Sequence, residues 1–513
     1  MSNHNSLIEC LSQPDFYPHP VEQPIEVLQT HISYIFLTGE YAYKLKKPLD
    51  LGFLDFSTLE KRRYYCYQEL ELNQPIAPDI YLEVFPITQQ NETLELNGQG
   101  EPIDYILKMR QFPQSALFSE MEKAGQLTES LLAQLGKKVA RFHQNAKTND
   151  YISQFGEPET IKEAINNNYQ QTEKYIGIAQ TQQQFTETKA FTDQFFQTYN
   201  SLLNQRKNNN FIRECHGDLH LKNICWWQDK IQLFDRIEFN EPFRFVDVMY
   251  DVAFTVMDLQ FRGCSHLGNV FLNNYLEYTG DWEGVPILPL YLTRQAYVRA
   301  KVNSLLLDDT NVAEEKKQEA TQQASKYYHL AWQYTQPQQG RFWMMSGLSG
   351  SGKTTVAREI AKHFNAIHLR SDAVRKHLAG IDIEQEGAQA IYRPEMSEKT
   401  YDKLLEIGTH LASQGWRVIL DAKYDRQHYR KAVIAAANSH NLPLQIIHCD
   451  APIEVLRDRV TGRQSDISDA TASLLTQQQA NAESFTETEQ SYVVTIDTSQ
   501  DWHQDLIPSL LED

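Results

Sequence analysis

The sequence predicts an α+β domain followed by an α/β domain built on a five-stranded parallel sheet. Three observations carry that expectation. Residues 25–112 are strand-rich and most of 113–335 has helical periodicity, so a small β-rich lobe precedes a larger α-rich one within a first domain of residues 1–335. The run TQPQQG, punctuated by Pro and Gly, separates a long helical segment from the short apolar run FWMM and marks a linker at 336–340. From 341 to 513, apolar runs alternate with amphipathic stretches, as a parallel sheet with crossover helices requires.

The elements follow in order. SYIFLTG, YAYKLKK, IYLEVFPI, ETLELNG and DYILKMRQF read as strands of the first lobe, and TLEKRRYYCYQELELNQ reads as a helix among them. The Gln/Asn-rich patches INNNYQQ, AQTQQQF and QRKNNN, between 166 and 210, read as solvated helix faces and loops. NICWW and IQLFD suit a β-pair. In the last domain FWMM, AIHLRSD, WRVILDAKYD, LQIIHCDAP and YVVTIDTS are strands one to five. No internal repeat is visible.

The stretch RECHGDLHLKNI, residues 213–224, lies just before the β-pair. Phosphoryl transfer needs a carboxylate to orient the acceptor hydroxyl, metal ions on the phosphates and a cation on the phosphate tail. His216, Asp218 and Asn223 give H-x-D-x-x-x-x-N, the spacing of a kinase catalytic loop. Asp218 is then the candidate catalytic base and Asn223 a metal ligand. Asp235, ending an apolar run twelve residues later, is the second metal carboxylate. Upstream, Tyr41-Ala42-Tyr43-Lys44 fits a strand that presents Lys44 to the nucleotide, because alternate strand residues share a face. Glu69 on the following helix is its ion-pair candidate. Lys46 shares the face of Lys44 and rivals it, and Glu71 is the weaker alternative to Glu69. His220 and Cys215 read as loop support. Asp247 and Asp251 read as helix-end structure or, more sharply, as walls of an acceptor pocket.

No G-x-G-x-x-G precedes Lys44; only Gly39 does. Residues 25–335 thereby resemble the aminoglycoside phosphotransferase group, which lacks that loop and carries H-G-D-x-x-x-x-N. HISYIFLTGEYAYKLKKPLDLGFLDFSTLEKRRYYC and LFDRIEFNEPFRFVDVMYD further resemble the bifunctional aminoglycoside phosphotransferase/ATP-binding fusion proteins. The resemblance implies a kinase-like fold in the first domain.

Gly347-Leu348-Ser349-Gly350-Ser351-Gly352-Lys353-Thr354 is a complete G-x-x-x-x-G-K-[ST] between an apolar run and the amphipathic stretch TTVAREIAKHF. That strand–loop–helix context is what a P-loop needs. Glycines let backbone N–H groups face phosphates, and the helix N-terminus adds its dipole. These eight residues with Thr355 are the expected nucleotide site. Lys353 neutralises phosphate charge, and Thr354 is placed for Mg²⁺. Asp421, ending strand three, holds the same metal from the Walker-B position. Asp372, after strand two, is placed to orient an acceptor hydroxyl, and Arg375 to bind an acceptor anion.

After strand four, APIEVLRDRVTGR carries Arg457, Arg459 and Arg463. This resembles the lid of small P-loop kinases, such as nucleoside monophosphate kinases, gluconate kinase, chloramphenicol phosphotransferase, polynucleotide kinase and zeta-type toxin kinases. The resemblance implies that a lid arginine, Arg457 first, stabilises the transferring phosphoryl group. About 170 residues follow the linker, which suits a compact phosphotransferase better than a motor ATPase.

The expected activity is thus ATP- and Mg²⁺-dependent transfer of the γ-phosphoryl group to a small-molecule hydroxyl acceptor at two nucleotide sites. The alternatives are a first domain that only senses ligand and regulates the second, or a second domain of toxin-like or polynucleotide type. A net charge of −19 over 513 residues argues against nucleic acid as a partner. The most apolar long run, FRFVDVMYDVAFTVMDL, is broken by Asp247, Asp251 and Asp258 and cannot span a membrane. The first residues lack the basic and apolar regions of a secretory signal. Six scattered cysteines without a CxxC predict a reduced, cytoplasmic protein. No feature sets an oligomeric state.

Overall fold

The structure, a computed structural model, describes residues 2–91, 93–310, 312–387, 389–462, 467 and 475–511. The chain forms two compact units. The first comprises Met1–Leu127, Asn145–Ala164 and Asn200–Asp258, and the second Thr128–Gln144, Ile165–Tyr199 and Leu259–Asp513. The α-rich stretch before the linker therefore contributes to both.

The first unit is organised by an antiparallel sheet. Its strands are β1 (Glu26–Gln29), β2 (Ser33–Leu37), β3 (Tyr41–Lys46), β4 (Tyr81–Gln90), β5 (Thr93–Leu96) and β6 (Glu101–Arg110). They lie in the order β1-β2-β3-β6-β4-β5. Alternation along β3 sends Tyr43 and Leu45 into an apolar cluster on one face, while Ala42 joins a second cluster on the other. Lys44 and Lys46 share the Ala42 face, which the helix Leu59–Asn73 covers. Thr58 caps that helix by accepting the Lys61 N–H. Its buried positions Arg62, Cys66, Glu69 and Asn73 recur at helical spacing, so a partly polar stripe faces the sheet. Glu71 falls off the stripe and is exposed.

Three short strands follow: β7 (Ile212–Glu214), β8 (Ile224–Trp227) and β9 (Lys230–Leu233); a fourth, β10 (Phe245–Asp247), pairs antiparallel with β7. β8 and β9 form the expected antiparallel hairpin. Gln228 and Asp229 at its tip both have positive φ, as the two-residue turn that matches strand twist requires.

The second unit holds the expected five-stranded parallel sheet: β11 (Arg341–Ser346), β12 (Ile367–Arg370), β13 (Arg417–Asp421), β14 (Leu444–Asp450) and β15 (Val493–Asp497). The order is β12-β13-β11-β14-β15, with all pairings parallel. Trp343 and Met345 of β11 pack with Val356 and Ile360 of the helix Lys353–Phe364 and with Leu506 and Leu510 of the helix His503–Leu511. The helix Ser265–Thr279, from before the linker, packs against β12. Its Asn269 and Asn273 donate to the Ala366 carbonyl at 2.9 and 3.0 Å, and Asn273 accepts the His368 N–H at 2.8 Å. Among the described residues no helix is long and apolar enough to cross a membrane.

Candidate active sites

The first site is assembled by the β8–β9 hairpin. Antiparallel pairing sets Ile224 opposite Leu233, and the Phe234 N–H donates to the Asn223 carbonyl at 3.0 Å. Asn223 and Asp235 thus stand at adjoining ends of one ladder. The Asn223 Nδ2 donates to the Asp218 carbonyl (2.9 Å) and to Asp218 Oδ2 (3.0 Å). Asp235 has φ of +60°, and its N–H donates to the Tyr81 hydroxyl at 2.9 Å. Such a backbone is uncommon outside glycine and often marks functional positions.

Lys44 reaches this centre from β3. Its Nζ donates to Glu69 Oε1 at 2.7 Å and to Asp235 Oδ1 at 2.5 Å. Burial pulls the ammonium down, but the Asp235 and Glu69 carboxylates outweigh it and raise the Lys44 pKa well above its ordinary value. Burial pushes Glu69 up, but Lys44 and Lys46 outweigh it and lower its pKa to about 2. Lys46 is therefore not an alternative to Lys44. It donates to the other Glu69 oxygen at 2.6 Å, and it also pairs with Glu238.

The catalytic loop is held from behind. Asp251 accepts the N–H groups of His216 (2.7 Å) and Gly217 (2.8 Å), and Asp258 accepts that of Leu221 (2.9 Å). Gly217 has φ of +85°, and a Cβ there would stand 2.5 Å from the Phe243 carbonyl. Asp247 pairs with Arg206 at 2.7 Å. Loop and helix support, not a pocket wall, is what these two aspartates provide. The Cys215 thiol is buried, which raises its pKa well above the ordinary value, and His220 caps the turn by accepting the Lys222 N–H. Asp218 remains 36% exposed, within reach of an acceptor.

The second site is a cavity of about 670 Å³ at the C-terminal ends of β11, β12 and β13, where parallel sheets bind ligands. Ser349, Gly350, Gly352, Lys353, Thr354 and Thr355 line it. Gly347, Leu348 and Ser351 do not, and they shape the loop from behind. Gly347 has φ of +134°, and a Cβ would meet the Cys449 carbonyl at 2.3 Å. Leu348 packs on Ala451, Leu456, Val460 and Leu475. The Ser351 carbonyl accepts the Thr498 hydroxyl at 2.9 Å.

Thr354 Oγ1 donates to Asp421 Oδ2 at 2.8 Å, and His368 Nε2 lies 2.9 Å from the same oxygen. Burial pushes Asp421 up, but the His368 hydrogen bond, with the Arg370 and Lys353 charges, brings its pKa to about 2. Burial lowers the Lys353 pKa below that of an exposed lysine. Asp372 and Arg375 both line the cavity.

The lid divides its arginines. Arg459 lines the cavity and donates to the Thr498 hydroxyl (2.9 Å), the Thr498 carbonyl (2.6 Å) and the Gly350 carbonyl (3.4 Å). Arg457 is exposed and outside the lining. Both sit on the helix Ile453–Thr461, where a two-residue step rotates a side chain about 200°. With Arg459 facing the P-loop, Arg457 faces away, which corrects the choice of Arg457 as the arginine on the phosphoryl group. Arg463 lies outside the described residues.

Several lining residues carry no motif. Gln478 accepts the Ser349 N–H at 3.1 Å, and Lys423 and Arg426 follow β13 into the cavity wall. Arg370 ends β12 and pairs with Glu277 of the helix Ser265–Thr279. His368 and Arg370 did leave a signal. They are polar residues at alternate positions of a fully buried strand that ends at the ligand edge.

Proteins similar over the full length are uncharacterized proteins of Mycobacterium bovis and Mycobacterium tuberculosis, 29% identical over 463 residues, which cover 89% of this chain and 90% of theirs. Among solved structures, a choline/ethanolamine kinase family protein from Mesorhizobium loti is 8% identical, covers 65% of this chain and 99% of its own, and has a TM-score of 0.38. A gluconokinase from Sinorhizobium meliloti is 19% identical, covers 34% and 91%, and has a TM-score of 0.26. Residues 342–485 match the family model described as AAA domain, so the segment that carries the P-loop, Asp421 and Arg459 is a P-loop domain of that kind.

Proposed function

We propose that this chain is an ATP- and Mg²⁺-dependent phosphotransferase with two nucleotide sites, each moving a γ-phosphoryl group to a hydroxyl of a small molecule. The observation that carries the reading is the double contact of Lys44 Nζ with Glu69 and Asp235. It joins the phosphate-tail cation, its orienting carboxylate and the metal carboxylate in one site. A module that had lost catalysis would be expected to lack one of these groups.

The oxygens available fit a hard divalent cation. The Asn223 Nδ2 is engaged with Asp218, which turns Oδ1 outward, and Asp235 gives Lys44 only one carboxylate oxygen. In the second site Asp421 receives Thr354 and His368 on Oδ2, leaving Oδ1. Mg²⁺ held there would supply neutralisation of phosphate charge. The chain's own residues do the rest. Lys44 and Lys353 hold the phosphate tails, and Asp218 and Asp372 orient an acceptor hydroxyl and take its proton. The hydroxyl oxygen bonds to Pγ as the Pγ–O bond to ADP breaks. Arg459, anchored on the P-loop, is placed to follow the transferring group.

Equilibrium binding of a non-hydrolysable ATP analogue with Mg²⁺ tests the two sites. The expected stoichiometry is two per chain, falling to one in Lys44→Met, to one in Lys353→Ala and to none in the double variant. A single Lys353-dependent site in the unsubstituted chain would refute the reading of the first domain.

A further inference from the structure

The cavity of the second site is more cationic than a nucleotide needs. Arg358, Lys353 and Arg459 lie toward the P-loop and its helix, and Arg370, Arg375, Lys423 and Arg426 lie on the elements that follow β12 and β13. Against them stand only Asp372, Asp421 and Asp425. The excess is local, in a chain whose net charge is −19.

Most of these cations have carboxylate partners. Arg370 pairs with Glu277, Lys423 with Asp425 at 3.2 Å, and Arg426 with Glu483 at 3.6 Å. Arg375 differs. It is 8% exposed, yet among the described residues no carboxylate lies within ion-pair distance. One terminal nitrogen donates to the Ile391 carbonyl (3.0 Å) and to the Ser397 hydroxyl (3.3 Å). The guanidinium lies over the Tyr392 ring, 5.1 Å from its centroid. Its Nε is buried without any hydrogen-bond partner. A buried guanidinium with an unsatisfied N–H and no counter-charge is costly to hold. The cost is offset if a ligand brings the anion. Arg375, Tyr392 and Ser397 all line the cavity, so the unsatisfied edge belongs to the ligand space.

Resting on the reading of this site as a phosphotransferase, we infer that its acceptor is a small alcohol that carries an oxyanion, a carboxylate or a phosphate, seated on the Nε edge of Arg375 beside Ser397 and Tyr392. Guanidinium meets planar or tetrahedral oxyanions through two parallel N–H groups, and an Nε edge free of protein partners offers that fork. The anchor leaves the hydroxyl to Asp372, three residues earlier on the same helix, Ser371–Ala379. The same field rejects polycations. Aminoglycoside-like acceptors are therefore excluded from this site, whatever the first site accepts.

The test uses the full chain saturated with Mg²⁺ and a non-hydrolysable ATP analogue, so that the P-loop is filled. Glycerol, glycerate and glycerol 3-phosphate serve as calorimetric probes that differ in the anion alone. At least one anionic probe is expected to bind tenfold or more tightly than glycerol, and the better of the two identifies carboxylate or phosphate. Arg375→Gln is expected to bring that probe to the level of glycerol without changing the affinity for the ATP analogue. Arg375→Lys keeps the charge but loses the fork and is expected to fall between; Ser397→Ala, a smaller change, is expected to weaken the anion severalfold if the glutamine variant fails to fold. Equal binding of all three probes, or anion binding that survives Arg375→Gln, would overturn the inference. Failure of the ATP analogue to bind through Lys353 would instead remove the phosphotransferase reading, and the two failures are told apart in one titration series.

Discussion

Glu277, on a helix that precedes the linker, receives the Arg370 guanidinium on both carboxylate oxygens, at 3.2 and 3.3 Å. Its backbone carbonyl lies 2.8 Å from His377 Nε2. One residue therefore grips both ends of the segment that carries Asp372 and Arg375. The cavity of the P-loop domain is positioned in part by chain outside residues 341–513.

Glu277→Gln keeps the shape but removes the charge opposite a buried arginine. It should reduce Lys353-dependent kcat/KM about tenfold, equivalent to about 1.4 kcal/mol, while the affinity for the ATP analogue stays within about twofold. Steady-state kinetics beside a nucleotide titration checks both. An unchanged kcat/KM would mean that the helix Ser265–Thr279 is only a packing surface.

Lys46 and Glu238 are buried at 1% and 4% side-chain exposure. Lys46→Met leaves the Glu238 carboxylate buried without its cation, which should cost about 3–5 kcal/mol of stability. Adding Glu238→Gln should recover much of that loss, because the stranded charge is gone. Denaturant unfolding of the single and double variants measures the recovery.

Gly217→Ala places a Cβ against the Phe243 carbonyl at a φ that L side chains avoid. The strain falls one residue before Asp218. A loss of kcat of about a hundredfold at the first site is expected, since misplacement of about 1 Å has that effect. Turnover at the Lys353 site should be untouched, and product analysis with each acceptor separates the two.

The Asp421 pKa is lowered from 3.8 to about 2. A folded-state pKa below the unfolded one contributes stability that is complete above about 3.8 and is lost as pH falls through about 2. The contribution is about 2 kcal/mol. The gap in unfolding free energy between the natural chain and Asp421→Asn should therefore be constant from pH 8 to 5 and close between pH 4 and 2. Chemical denaturation at stepped pH checks it.

The first site was readable because its parts announce themselves locally. Asp218 and Asn223 sit in one loop, Asp235 ends an apolar run, and strand alternation puts Lys44 on the helix-covered face. Helical spacing distinguished Glu69 from Glu71. The P-loop and all five parallel strands were readable for the same reason. What escaped the sequence is contact made only by folding. Lys46 and Glu238 are 192 residues apart, Arg370 and Glu277 are 93 apart, and His368 and Asp421 are 53 apart. No periodicity links such pairs. Arg457 and Arg459 show the limit within one helix: spacing says that they face differently, and only the fold says which faces the phosphates.

The central claim is that both sites transfer phosphoryl groups. The direct measurement is ADP release and product identification across an acceptor panel, for the natural chain, Asp218→Ala, Lys353→Ala and the double variant. Each single variant should lose a distinct phosphorylated product, and the double variant should lose both. If Asp218→Ala changes neither turnover nor product with any acceptor while Lys353→Ala abolishes both, the first site does no chemistry and the account is wrong.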